Sequence, residues 1–333
     1  MFSWTDFPSR TGERRTVEVT LPQGSAELVL RRYAPSPGAD DAGPDVSPPR
    51  LLLIHGFRGD HHGMQLIVDA LPGYEIFVPD LPGFGETPAL RSARGRRLEH
   101  TVQRYADVVE ALAQRLRLGP TDVVAGHSFG SIVVSAHLQR AAAASDSAEP
   151  SRRWAGAVLL APISDDIFRR PALLPGALGV ELYYRLCQAL PGAGGDWALR
   201  SPAALAVTNL TMMVSPEPDL QDYIRDQHRR YFGAYSDRRT VLEAYRASSR
   251  HTVTDYAASL DLPVLLLGGA QDQLSTVAGR RALREAVPGP AGAGPQWELL
   301  RGTGHLLHYE KPAQAGRAVQ RFLQSLGDPV EHR

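Results

Sequence analysis

Cysteine is almost missing from this chain. Among 333 residues only Cys187 is present, which excludes an intrachain disulfide and any metal site built from several thiolates. Net charge is missing too, since 36 Lys plus Arg are balanced by 36 Asp plus Glu. That balance gives no sign of nucleic acid or of an anionic membrane surface as a partner. The arginines at 91, 94, 96 and 97 and at 229, 230, 238 and 239 are interspersed with acids or lie near turns, as on a solvated surface. No apolar run approaches the roughly 18 residues that a membrane-crossing helix needs. Met1–Asp6 shows no basic segment followed by an apolar one. The expectation is a soluble cytoplasmic protein without stable membrane insertion, its oligomeric state left open. No internal repeat is visible, and no low-complexity tract beyond Ala141–Ala144.

What is present is a rhythm. With 43% hydrophobic residues, 31 Gly and 26 Pro, the chain suits one large α/β domain with an insertion, or two modest domains. Thr16–Thr20 and Ala26–Arg31 flank Pro22-Gln23-Gly24 and read as an antiparallel hairpin. Ala34–Pro49, rich in Pro, Gly, Asp and Ser, reads as a loop. Short apolar runs then follow at Leu51–Ile54, Tyr74–Val78, Asp122–Ala125, Ala157–Leu160, Val264–Leu267 and Trp297–Leu300. Unbroken apolar runs fit strands buried on both faces of a parallel sheet. Helical patterns lie between them at Met64–Ala70, Val102–Leu116 and Ser131–Ala144, and a last one carries Val319, Phe322, Leu323 and Leu326. The fold class is therefore α/β, a doubly wound and mostly parallel sheet. Between about Pro162 and Leu260 the strands stop, and Leu178, Leu182, Leu186 and Leu190 recur every four residues. Residues 162–260 read as a helical insertion between core segments 1–161 and 261–333.

The strongest local signal is Gly126-His127-Ser128-Phe129-Gly130, a G-x-S-x-G sequence with an apolar strand before it and a helical pattern after it. In such an elbow the serine is strained and its hydroxyl stands above the strand end. The helix behind it turns free N–H groups toward a developing negative charge. The chain here resembles the α/β-hydrolase fold family. The likeness is carried by His55-Gly56-Phe57, by Asp80-Leu81-Pro82-Gly83-Phe84-Gly85-Glu86-Thr87, by the elbow, by Gly268-Gly269-Ala270-Gln271-Asp272 and by Gly302-Thr303-Gly304-His305. It implies an α/β-hydrolase fold whose residues 162–260 form a helical cap.

A serine hydroxyl becomes a useful nucleophile only when a base takes its proton. Of eleven histidines, His305 lies in a Gly-rich turn after a strand, where the family places its base. His127 reads as structural, His308 as a supporting or surface group, and His137, His228 and His332 carry no motif. Asp272 follows the strand at Val264, and the order Ser128, Asp272, His305 is the one this family uses. Asp165 or Asp166 is the alternative acid. By resemblance, the backbone N–H groups of Phe57 and Phe129 would form the oxyanion hole, and Asp80 would organise backbone N–H groups. His61 and His62 stand beside Asp60, but without metal-ligand spacing they read as a loop-to-helix transition that Asp60 caps.

Serine rather than aspartate at the elbow favours acyl transfer over epoxide or halide chemistry. The reading is a serine hydrolase that cleaves an ester or related acyl bond of a small to medium hydrophobic molecule. No metal or organic cofactor is called for. Tyr183, Tyr184, Trp197, Met212 and Met213 are pocket-wall candidates or plain core. Hydrolysis of a carbon–carbon bond in a diketone-like metabolite, or ligand binding without turnover, are the alternatives.

Overall fold

The computed structural model describes residues 7–37, 48–143 and 154–327. Most of the loop expected over Ala34–Pro49, the end of the Ala141–Ala144 tract, Met1–Asp6 and His332 lie outside them. The opening hairpin pairs β1 (Glu13–Leu21) with β2 (Gly24–Tyr33) in antiparallel register. Then come β3 (Leu51–Ile54), α1 (Gln65–Asp69), β4 (Ile76–Pro79), α2 (Val102–Arg115), β5 (Val123–His127), α3 (Phe129–Ala143) and β6 (Gly156–Leu160). Five helices follow without a strand: α4 (Leu174–Ala189), α5 (Ala193–Leu199), α6 (Pro202–Met212), α7 (Pro218–Tyr231) and α8 (Arg238–Ser249). The α/β rhythm resumes with β7 (Val264–Gly269), α9 (Val277–Ala286) and β8 (Gln296–Leu300). It ends on the short α10 (Leu307–Glu310) and α11 (Pro312–Ser325).

The eight strands form one sheet in the order β1-β2-β4-β3-β5-β6-β7-β8. From β4 to β8 every pairing is parallel, and β2 joins β4 antiparallel. The strands β3 to β7 are buried along their whole length, which is why they read as unbroken apolar runs. Their side chains alternate between two cores, as a period of two requires. Leu52, Ile54, Val124, Leu159 and Leu266 pack with α2 and α3 on one face. Leu51, Leu53, Ala125, Val158 and Leu267 pack with α1 and α11 on the other.

The chain runs from β3 outward to β4, then back across β3 to β5. Such a reversal opens a crevice at the carboxyl ends of the two central strands, where open α/β sheets place their sites. The turns leaving β3 and β5 carry Phe57 and Ser128. No helix among the described residues is long and apolar enough to cross a membrane.

Candidate active site

Ser128 has a φ of +55°, a left-handed conformation that a serine adopts only when its surroundings impose it. Those surroundings need the two flanking glycines. A Cβ on Gly126 would run into the Gly130 carbonyl and come within 2.8 Å of the Ser131 nitrogen. One on Gly130 would run into the Ile54 carbonyl and lie 2.7 Å from that of His55. Strand β5, its elbow and the end of β3 can pack this closely only where both positions lack side chains.

His305 comes from the turn after β8 and Asp272 from the turn after β7, and Gln271 ties the two by donating its N–H to Thr303 O at 3.0 Å. His305 Nδ1 lies 3.0 Å from Asp272 Oδ2, and Nε2 lies 2.7 Å from Ser128 Oγ. A carboxylate can only accept, so Nδ1 carries the proton and Nε2 offers its lone pair to the serine hydroxyl. Asp272 is fixed in turn by the Leu274 N–H at 2.7 Å. All three side chains are buried or nearly so, so this relay is shielded from bulk water.

The competing candidates differ in their partners. Asp165 accepts from Thr276 N at 2.6 Å and Arg170 Nε at 2.5 Å, which places it at the start of α9. Asp166 accepts from Phe168 N. Neither is hydrogen-bonded to His305. His127 donates Nε2–H to His305 O at 3.2 Å and is pushed down to about 3 by burial, with His305 nearby as the next cause. Its Nε2 is directed at the His305 carbonyl, while the Ser128 hydroxyl is hydrogen-bonded to His305 Nε2, so the His127 ring bridges the elbow to the His305 turn. His308 packs against it with ring centroids 3.9 Å apart. Burial holds His308 well below its ordinary range.

Phe129 is the first residue of α3, so its N–H has no acceptor one turn earlier. The Phe57 N–H likewise has no acceptor among the described residues. Gly56, just before it, would place a Cβ 3.2 Å from Ser128 Cβ. Both donors therefore stand beside the serine. The Phe57 ring meets Tyr184 of α4 and Tyr245 of α8, with centroids 6.1 and 6.3 Å away. Of the pocket-wall candidates, Tyr184 is buried against Phe57, whereas Trp197 is 72% exposed.

Asp80 takes the N–H of His61 and the N–H of Glu86, each at 2.9 Å, the organising role expected of it. It also takes His61 Nδ1 at 2.8 Å. Asp60, His61 and His62 bring one donor atom each within 4.8 Å of one another. Asp60 Oδ1 already receives both the N–H and Nδ1 of His62, at 2.9 and 3.1 Å, as an N-cap does.

Two residues that the sequence did not single out tie this turn to the helical segment. Glu310 is buried, with four donors. Its Oε2 takes Thr303 Oγ1 at 2.7 Å and Gly304 N at 3.1 Å, while Oε1 takes Val214 N and Ser215 N at 2.5 and 2.8 Å. Gln273 Oε1 accepts the His305 N–H at 3.2 Å while its Nε2 donates to Met212 O at 3.3 Å. The sequence signal for Glu310 is a lone acid directly after the mostly apolar stretch Leu306-Leu307-His308-Tyr309.

A profile of the Alpha/beta hydrolase family matches residues 51–318. Lipase 3 of Moraxella sp. is 32% identical over 96 residues, 29% of either chain. The 30 kDa magnesium-chelatase subunit of Rhodobacter capsulatus is 34% identical over 94 residues, 28% of this chain and 31% of that one. The matched stretch thus spans less than a third of these relatives. A thermophilic esterase from Thermogutta terrifontis superposes with a TM-score of 0.67 at 20% identity, over 94% of this chain and 100% of that one, which shows a shared fold.

Proposed function

We propose, from the premise that this chain belongs to the alpha/beta hydrolase family, that it is a serine esterase acting on a small to medium hydrophobic substrate. One observation carries the reading: the unbroken relay from Asp272 through His305 to Ser128, at 3.0 and 2.7 Å. Ser128 attacks the substrate carbonyl while His305 Nε2 takes its proton, and Asp272 steadies the imidazolium that forms. The Phe57 and Phe129 N–H groups receive the oxyanion. Collapse of the tetrahedral intermediate expels the alcohol, protonated by His305, and leaves an acyl-serine. A water molecule, deprotonated by His305, then releases the acid.

Helices α4 to α8 act as a cap over this site. Phe57, Tyr184 and Tyr245 offer an aromatic wall beside the oxyanion donors, which suits an apolar group. Glu310 and Gln273 serve as positioning residues, since each holds the base turn with one end and the Met212–Ser215 stretch with the other.

The test is turnover of p-nitrophenyl esters of rising chain length beside a panel of diketones. Ester hydrolysis that vanishes in Ser128→Ala is expected. Turnover of the diketones alone would replace the ester reading.

A further inference from the structure

Helix α4 is apolar on two opposite sides. At about 100° per residue, Ala177, Tyr184 and Cys187 fall on one side, and these are buried. Leu178, Leu182 and Leu186 fall on the other within about 80° of one another, and Leu182 and Leu186 are 59% and 56% exposed. A helix that is apolar all round ordinarily has a partner on each face. The anomaly extends along the chain. Among the described residues, eight of the ten exposed large hydrophobic side chains lie between 178 and 210, about a tenth of the sequence. Trp197 and Leu210 are among them, at 72% and 82% exposed. Helix α6 buries no side chain and carries no charge at all. Clustering of this kind, rather than scattered single residues, marks a surface made for contact.

The charges beside the stripe indicate what covers it. Arg185 follows Leu178 by seven positions and so stands almost directly along the helix from it. With Arg246 and Arg250 it lines a groove of about 680 Å³ between α4 and α8, in which Glu181 is the one acid. Glu181 already accepts from Arg185 at 2.8 Å and Tyr245 OH at 3.1 Å, and Arg250 lies 3.2 Å from it. From residue 171 to 215 the chain has no other acid except the half-buried Asp196. A two-fold contact between copies would lay this patch on itself and set arginine against arginine. An anionic lipid surface offers what the patch lacks: acyl chains for the leucines and Trp197, and phosphate for the guanidinium groups.

We propose that the outer face of α4, with Trp197 and the Arg185–Arg246–Arg250 groove, docks the protein peripherally on an anionic phospholipid surface. The zero net charge of the whole chain conceals this local excess of cation and apolar side chain. The inner face of the same helix reaches Phe57 through Tyr184, so docking sets the proposed ester-cleaving site next to lipid-dissolved substrate. That consequence rests on the esterase reading, but docking itself does not and is measured without turnover.

The experiment is co-sedimentation of the full chain with vesicles of phosphatidylcholine alone or mixed with phosphatidylglycerol, in low and high salt. Association with the mixed vesicles that weakens in salt is expected. In L182D/L186D the affinity falls about tenfold or more, while hydrolysis of a soluble p-nitrophenyl ester stays unchanged. As a measurement on the unmutated surface, brominated phosphatidylglycerol vesicles quench wild-type tryptophan emission, and the quenching is lost in W197F. Three results would overturn the proposal. They are no association with either vesicle, equal association of wild type and variant, and a dimer seen by light scattering that L182D/L186D dissociates. The last would assign the face to a second copy.

Discussion

Two carboxylates compete to steady one histidine, and hydrogen bonding separates them. Asp272 is held by Leu274 N and faces His305 Nδ1, whereas Asp165 spends its oxygens on Thr276 and Arg170. Asp272→Asn should lower kcat by on the order of 10³ or more, because an amide can present a donor to Nδ1 and so reverse the tautomer. Asp165→Asn should leave kcat near wild type and lower the melting temperature, since it loosens the start of α9. Steady-state kinetics and thermal unfolding of both variants decide this, and the opposite pattern would reassign the acid. Asp272 and His305 were legible because each follows an apolar strand in a short, glycine-containing turn, a purely local signature. The bond from His127 to the His305 carbonyl spans 178 positions and leaves no trace in local sequence.

Between elements, Glu310 joins the base turn to the stretch linking α6 and α7. Its donors lie 6 and 7 positions away on one side and 95 and 96 on the other, so no pattern along the chain could pair them. Glu310→Gln replaces an acceptor-only group by one that must also donate. At least one of the four donors is left unmatched. The expected result is a drop in kcat of about tenfold or more with a smaller change in KM for a soluble ester, the signature of a displaced base. Rescue by Glu310→Asp should be incomplete, because the shorter carboxylate cannot span both sides. A variant with reduced stability and unaltered kcat would make Glu310 structural only. The leucine repeat of α4 teaches a related limit. Spacing by four identified a helix, but a buried stripe and an exposed one have the same period, so the repeat could not say which side faces solvent.

At the scale of the whole molecule, the sheet was nearly complete in the sequence, because strands buried on both faces must be continuous apolar runs. The segment between β6 and β7 was legible as helical from the break in that rhythm and the leucine spacing, but not in its arrangement, which depends on contacts such as Tyr184 with Tyr245 between distant segments. The interior also sets an acid limit. Burial lowers His55, His308, His127 (to about 3) and His228 (to about 4). Each is neutral when folded and takes a proton more readily when unfolded, so the unfolded state binds more protons below the ordinary value of about 6.5. Their stabilising contribution is complete above that pH and is lost as pH falls toward the folded values. The loss approaches about 1.4 kcal/mol per pH unit for a ring that stays neutral in the folded state while the unfolded one is protonated. Urea midpoints measured from pH 7 to pH 5 should fall steadily, and a flat profile would mean that these rings are not held neutral by burial.

The central claim is that Ser128 is a nucleophile activated by His305. Its most direct test is labelling of the folded chain with a fluorophosphonate probe, with the modified residue located by peptide mass spectrometry. One adduct, on Ser128, is predicted, absent from Ser128→Ala, strongly slowed in His305→Ala and lost on unfolding in urea. A folded wild-type chain that stays unlabelled, or carries its label on another serine, would contradict it.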